Sequence, residues 1–78
     1  MKLIYIENTK ANLKDAINKK DIHTAVALAK CLGLSQRNIC KLASIDHGNF
    51  NNYLNGKLPK YNTDHVSKVF NVIEKIVF

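Results

Sequence analysis

The chain has 78 residues, 46% of them hydrophobic, with twelve Lys and Arg against six Asp and Glu and a formal charge of +6. That is one small domain, 1–78, too apolar for a disordered tail, and its positive balance favours a polyanionic partner, nucleic acid or an anionic surface. No apolar run approaches the roughly 18 residues of a membrane span, and the chain turns polar after Ile6, unlike a signal peptide, so a cytoplasmic protein with no membrane partner is expected.

Residues 2–6, KLIYI, are β-branched or aromatic enough for a short strand, so residues 1–8 are expected to form an N-terminal strand or arm. Asn8 or Thr9 is a candidate cap for a first helix running to about Lys19, with Leu13, Ala16 and Ile17 on one face. Asp21 can cap a second helix ending at Leu32, with Ile22, Ala25, Val26 and Ala29 at core spacing and Gly33 at its end. One continuous helix across Lys20 is the alternative. Cys31 and Cys40 are expected to be reduced and buried, and neither a C-x-x-C nor an H-x-x-x-H spacing supports a metal site.

Residues 35–56 read as two short helices joined by a tight turn. Ser35 caps the first, and Ile39 and Ala43 give it an apolar face flanked by Cys40 and Leu42. The period breaks at Ser44-Ile45-Asp46. In the second helix, 47–55, Phe50 and Leu54 lie four apart on the side expected to be buried, and Gly56 stands just past the end. The opposite face carries His47, Asn49, Asn51, Asn52 and Asn55. Asn is a weak helix former, so this run makes sense as a face that hydrogen-bonds something outside the protein. The loop KLPKYN follows, an exposed and stiff connection. Asn62 or Thr63 then caps a last helix, 63–77, with Val66, Val69, Phe70, Ile73 and Val77 along its stripe. Val72, Ile76 and Phe78 widen that stripe beyond what one small core needs, and they are the candidate dimer interface.

The stretch 35–56 resembles the helix-turn-helix of the phage-repressor family, the Cro/Xre-type DNA-binding domains. Gln36, Ile39, Cys40, Ile45, Phe50 and the ending Leu54-Asn55-Gly56 carry the likeness, and KLPKYNTDHVSKVFNVI extends it over roughly residues 22–76. Cys40 stands where the family usually has Ala, and Ser44 where it usually has Gly. A positive φ at Ser44 costs on the order of 1 kcal/mol, which leaves room for a differently shaped turn.

The resemblance implies an all-α helix-turn-helix bundle of about five helices, possibly with a short N-terminal strand. Its second helix would enter the major groove, with His47, Asn49, Asn51 and Asn52 reading bases and Gln36, Arg37, Lys41, Asn55, Lys57 and Lys60 touching phosphates. The implied function is a double-stranded DNA-binding transcriptional regulator of a phage or other mobile element, a repressor acting as a homodimer on a palindromic operator. The alternative is an antitoxin-type autoregulator or a module that binds a partner protein. No paired carboxylates, phosphate loop or activated nucleophile are visible, so no catalysis, cofactor or small-molecule ligand is expected.

Overall fold

The computed structural model describes residues 3–58 and 60–78, with side chains from Glu7 onward except that of Pro59. Five helices follow one another: α1 (Leu3–Asn18), α2 (Ile22–Cys31), α3 (Gln36–Ala43), α4 (His47–Leu54) and α5 (Thr63–Val77). The protein is all-helical over these residues. Among them no helix is long and apolar enough to cross a membrane.

Local side chains start the helices. Asp21, Ser35, Asp46 and Asn62 each accept a backbone N–H in the first turn of α2, α3, α4 and α5, from Thr24 (3.3 Å), Asn38 (3.2 Å), Asn49 (2.9 Å) and Asp64 (2.8 Å). Thr24 also donates its hydroxyl to Asp21 at 2.7 Å, and these bonds hold the Asp21 carboxyl below its ordinary range.

The helices also stop alike. Past the ends of α1 to α4 stand Lys20, Gly33, Ser44 and Gly56, at φ of 57°, 91°, 57° and 74°. Each donates its N–H three residues back, and the next residue donates five back, as Asp21 does to Ala16 O at 2.9 Å and Lys57 to Asn52 O at 2.8 Å. This pairing satisfies the last carbonyls of the helix. Lys20 therefore ends α1, and α1 and α2 are separate helices.

Two readings of the sequence are corrected. From Leu3 onward the segment expected to be a strand is the first turn of α1, and the candidate caps Asn8 and Thr9 lie inside that helix. A strand without a neighbour leaves its backbone groups unpaired, whereas a helix pairs them internally. Met1, Lys2 and the loop's Pro59 lie outside the described residues. The second correction is Cys31, which is exposed on α2, while Cys40 is buried as expected.

The core draws Leu13 and Ala16 from α1, Ile22, Ala25, Val26 and Ala29 from α2, Ile39, Cys40 and Ala43 from α3, Phe50 from α4, and Val69, Phe70 and Ile73 from α5. α5 packs on α3, α2 and α1, while α4 packs mainly on α3. Burying a side chain such as Leu13, Phe50 or Ile73 contributes roughly 1.5–3 kcal/mol each.

The second half of α4 is held by an aromatic group. Tyr53 and Tyr61 stack at 4.7 Å, and Phe50 lies 6.0 Å from Tyr61 between ring centroids. His23 Nε2–H donates to the Leu54 carbonyl at 3.0 Å, tying the start of α2 to the end of α4.

Candidate nucleic-acid interface

The turn between α3 and α4 fixes how the two helices meet. Ser44 takes the left-handed conformation, φ 57° and ψ 42°, so the turn has the shape a glycine would give it despite the side chain. Its N–H reaches Lys41 O at 3.2 Å and that of Ile45 reaches Cys40 O at 3.0 Å. Asp46 then caps α4 at once. The sequence reading did not assign that cap, although an Asp directly before a helical run is a legible signal.

Across this turn lies a polar bridge. The Gln36 side chain, at the first position of α3, donates from Nε2 to Asn51 Oδ1 at 3.2 Å, and the same nitrogen lies 3.3 Å from His47 Nε2. Gln36 thus directs its amide nitrogen at α4, and the remaining Oε1 only accepts, so in this arrangement the side chain has no donor left for a phosphate. Nothing in the spacing of the sequence joins these residues, which lie eleven and fifteen positions apart.

The five polar residues of α4 do not share one stripe. His47 and Asn51 stand on the α3 side of the helix. Asn49 is on the other flank, where it lines a depression of about 300 Å³ with Asp46, Lys60, Tyr61 and His65. Asn52, two residues past Phe50, sits nearly opposite it at 3.6 residues per turn. Asn49, Asn51 and Asn55 are exposed, while His47 and Asn52 are half-buried. Gly48 adds no side chain to this surface, and a Cβ there would meet only Asp46 Oδ2, at 3.4 Å.

Arg37 and Lys41 are exposed on α3, and Lys57 and Lys60 are exposed on the loop after α4. None of the four is ion-paired among the described residues, where the one salt bridge joins Lys19 to Asp15 at 3.0 Å. Exposed cations without an ion pair therefore stand on both segments that flank α4 in the chain, α3 before it and the loop after it.

The residues expected to form one dimer seam are spread around the end of α5. Val72 is half-buried and lines a shallow depression with Leu42, Lys68 and Lys75. Ile76, half exposed, borders an open groove of about 530 Å³ with Lys10, Cys31, Leu32 and Leu34. Phe78 turns toward α1, where the Lys14 ammonium sits 5.9 Å from its ring centre. Helical spacing alone had put all three on one stripe, and the end of the helix at Phe78 breaks that spacing. Leu42, 58% exposed, is a further apolar residue at this surface.

Among the described residues no three His, Cys, Asp or Glu stand together to hold a metal. Burial, helped by the Asp46 charge, pushes the Cys40 thiol up, so it is held in its protonated, unreactive form. The Tyr61 hydroxyl is buried with no partner among the described residues, and burial raises its pKa.

No family model matches this chain, and neither a curated protein nor a solved structure does. The functional reading rests on the chemistry of the surface itself.

Proposed function

We propose that this chain is a sequence-specific, double-stranded DNA-binding regulator, a repressor that acts as a homodimer on a palindromic operator with α4 as its reading helix. One observation carries the reading: α4 exposes the amides of Asn49 and Asn51 beside the half-buried His47, and the segments before and after it, α3 and the loop, carry the exposed, unpaired cations Arg37, Lys41, Lys57 and Lys60. Cations on phosphates supply affinity without selecting sequence, and amides in the groove select sequence by adding affinity only on the right base. Asn suits adenine, and a histidine donor suits guanine. The small-residue start of α4, at Gly48, lets the backbone come close to bases.

A homodimer follows from the size of the reader. One eight-residue helix makes few base contacts, and a second copy about 34 Å away doubles them. The half-exposed Ile76 and Phe78 and the exposed Leu42 leave apolar area for that contact. The same apolar area favours a second reading, in which the chain binds a partner protein as an antitoxin-type autoregulator does.

Salt titration of duplex binding tests the proposal. Four to six phosphate contacts per subunit give a log–log slope of about −4 or steeper. Asn52→Ala should lose roughly 1–3 kcal/mol on the preferred site and almost nothing on random duplex, whereas Lys57→Ala should weaken both and flatten the slope by about one. A slope near zero removes DNA binding and leaves the partner-protein reading.

A further inference from the structure

We propose that Gln36 and His47 together set whether Asn51 meets a base pair as a hydrogen-bond donor or as an acceptor, and that the protonation of the His47 ring selects the setting. The proposal rests on the reading of α4 as a DNA-reading helix.

The Gln36 amide nitrogen carries two hydrogens. One is given to Asn51 Oδ1 at 3.2 Å, and the other points to His47 Nε2 at 3.3 Å. In this arrangement His47 Nε2 accepts, which requires a neutral ring with its proton on Nδ1. With Oδ1 engaged by Gln36, the exposed Asn51 turns its NH₂ outward as a donor.

A second arrangement satisfies the same three groups. If both amides turn by half a rotation, Gln36 Oε1 accepts from Asn51 Nδ2–H and from His47 Nε2–H. Asn51 then turns Oδ1 outward as an acceptor. The oxygen and nitrogen of an amide are nearly the same size, so the change needs no repacking. Turning one amide alone sets two donors or two acceptors face to face, so the amides turn together. A neutral ring supports either arrangement. A charged ring, with N–H on both nitrogens, supports only the second.

The groove distinguishes the two. An outward donor suits guanine O6 or N7, adenine N7 and thymine O4, while an outward acceptor suits only adenine N6 or cytosine N4. Histidine is the side chain whose charge ordinarily changes between about pH 5 and 8. The charged groups on the neighbouring elements are Asp46, which caps α4, Arg37 and Lys41 on α3, and Lys60 and His65, which share a depression with Asp46 on the other flank. His23 is held at the far end of α4 on the Leu54 carbonyl.

Nitrogen NMR on the free, labelled protein tests the switch without DNA. The expected result is a neutral His47 ring protonated on Nδ1, with the side-chain amide signals of Gln36 and Asn51 shifting at the same midpoint as the ring. In Gln36→Leu the Asn51 amide should no longer follow the ring. In Gln36→Glu, a carboxylate that only accepts, the second arrangement should hold at every pH. A neutral ring protonated on Nε2, or amide signals that ignore its titration, overturns the proposal.

Selection of bound sites from random duplexes at about pH 5.5 and about pH 8 completes the test. The base preferred at one position should change by about tenfold in relative affinity between the two, and Gln36→Glu should show the acidic preference at both. Binding with one and the same preference at both pH values overturns this proposal alone. Absence of duplex binding overturns the reading of α4 and this proposal with it.

Discussion

Between α1 and α2 the chain buries Leu13 and Ala16 against Ile22, Ala25, Val26 and Ala29; between α3 and α4 it buries Ile39, Cys40 and Ala43 against Phe50 alone, and adds a bridge of two amides and an imidazole. The two pairs share a backbone plan. Each is turned by one non-glycine residue in the left-handed region, Lys20 in the first and Ser44 in the second, followed by an Asp cap, Asp21 or Asp46. The side chains make the difference. Small and aliphatic residues in the first pair bring the helices together and fill the space between them. The second pair buries one residue of α4 fully, packs Tyr53 and Leu54 partly against the core, and leaves the first turn and the outer positions of that helix polar or glycine. Stability is concentrated in one pair and the candidate binding surface in the other, on one backbone plan.

The comparison is broken most forcefully by truncating its two anchors. Phe50→Ala should cost about 3–5 kcal/mol and Leu13→Ala about 2–5, both measured by urea unfolding. Amide exchange then separates them. Leu13→Ala should lower protection across the domain, because it is fully buried on α1, the helix that packs on both α2 and α5. Phe50→Ala should release α4 first, since that residue is the helix's single fully buried anchor. Equal loss of protection in all helices for both variants would erase the distinction drawn between the pairs.

A smaller effect tests what the pairs have in common. Ser44→Gly and Lys20→Gly each relieve a left-handed residue, a gain of about 1–2 kcal/mol reduced by the greater freedom of glycine in the unfolded chain. A net stabilisation of about 0.5–1 kcal/mol is expected at both sites, read as a rise in the urea midpoint. A gain at one and a loss at the other would mean that the two turns are not equivalent.

The smallest change sharpens the contrast. Gly48→Ala should stabilise by about 0.5 kcal/mol, because Ala is the better helix former and its Cβ meets only Asp46 Oδ2 at 3.4 Å. The same methyl stands on the surface proposed to approach DNA, so duplex affinity should fall while the melting temperature rises. Stability and affinity that rise together would place the contact surface elsewhere.

Much of the helical plan was legible in the residues. Asp21, Ser35 and Asn62 cap as their side chains suggest, and Ile22, Ala25, Val26 and Ala29 are all buried as their spacing suggests. Caps and periods are local, decided within a few residues. KLIYI misled because β-propensity describes fit to a half-buried sheet and carries little meaning without a neighbouring strand. Cys31 misled in a smaller way: it lies two positions past the buried Ala29, on a different side of α2.

The candidate surface was legible as a list and not as an arrangement. That His47, Asn49, Asn51 and Asn52 are polar on a short helix is written in the sequence. Their division into an α3 flank, an outer face and a loop flank depends on where Gln36 and Tyr61 arrive, and those residues come from other parts of the chain. The same holds at the end of α5, where Val72, Ile76 and Phe78 find three different surroundings.

The sequence by itself determined where α2 to α5 start and stop to within about a residue, which residues are apolar enough to form a core, and the positive charge of +6. These follow from backbone conformation, side-chain hydrogen bonding over three or four residues, and composition. Only the tertiary structure decided that Gln36 reaches His47 and Asn51, that His23 holds the end of α4, and that Phe78 meets Lys14. Such contacts depend on the angles at which helices pack, and those angles are set by the whole core at once.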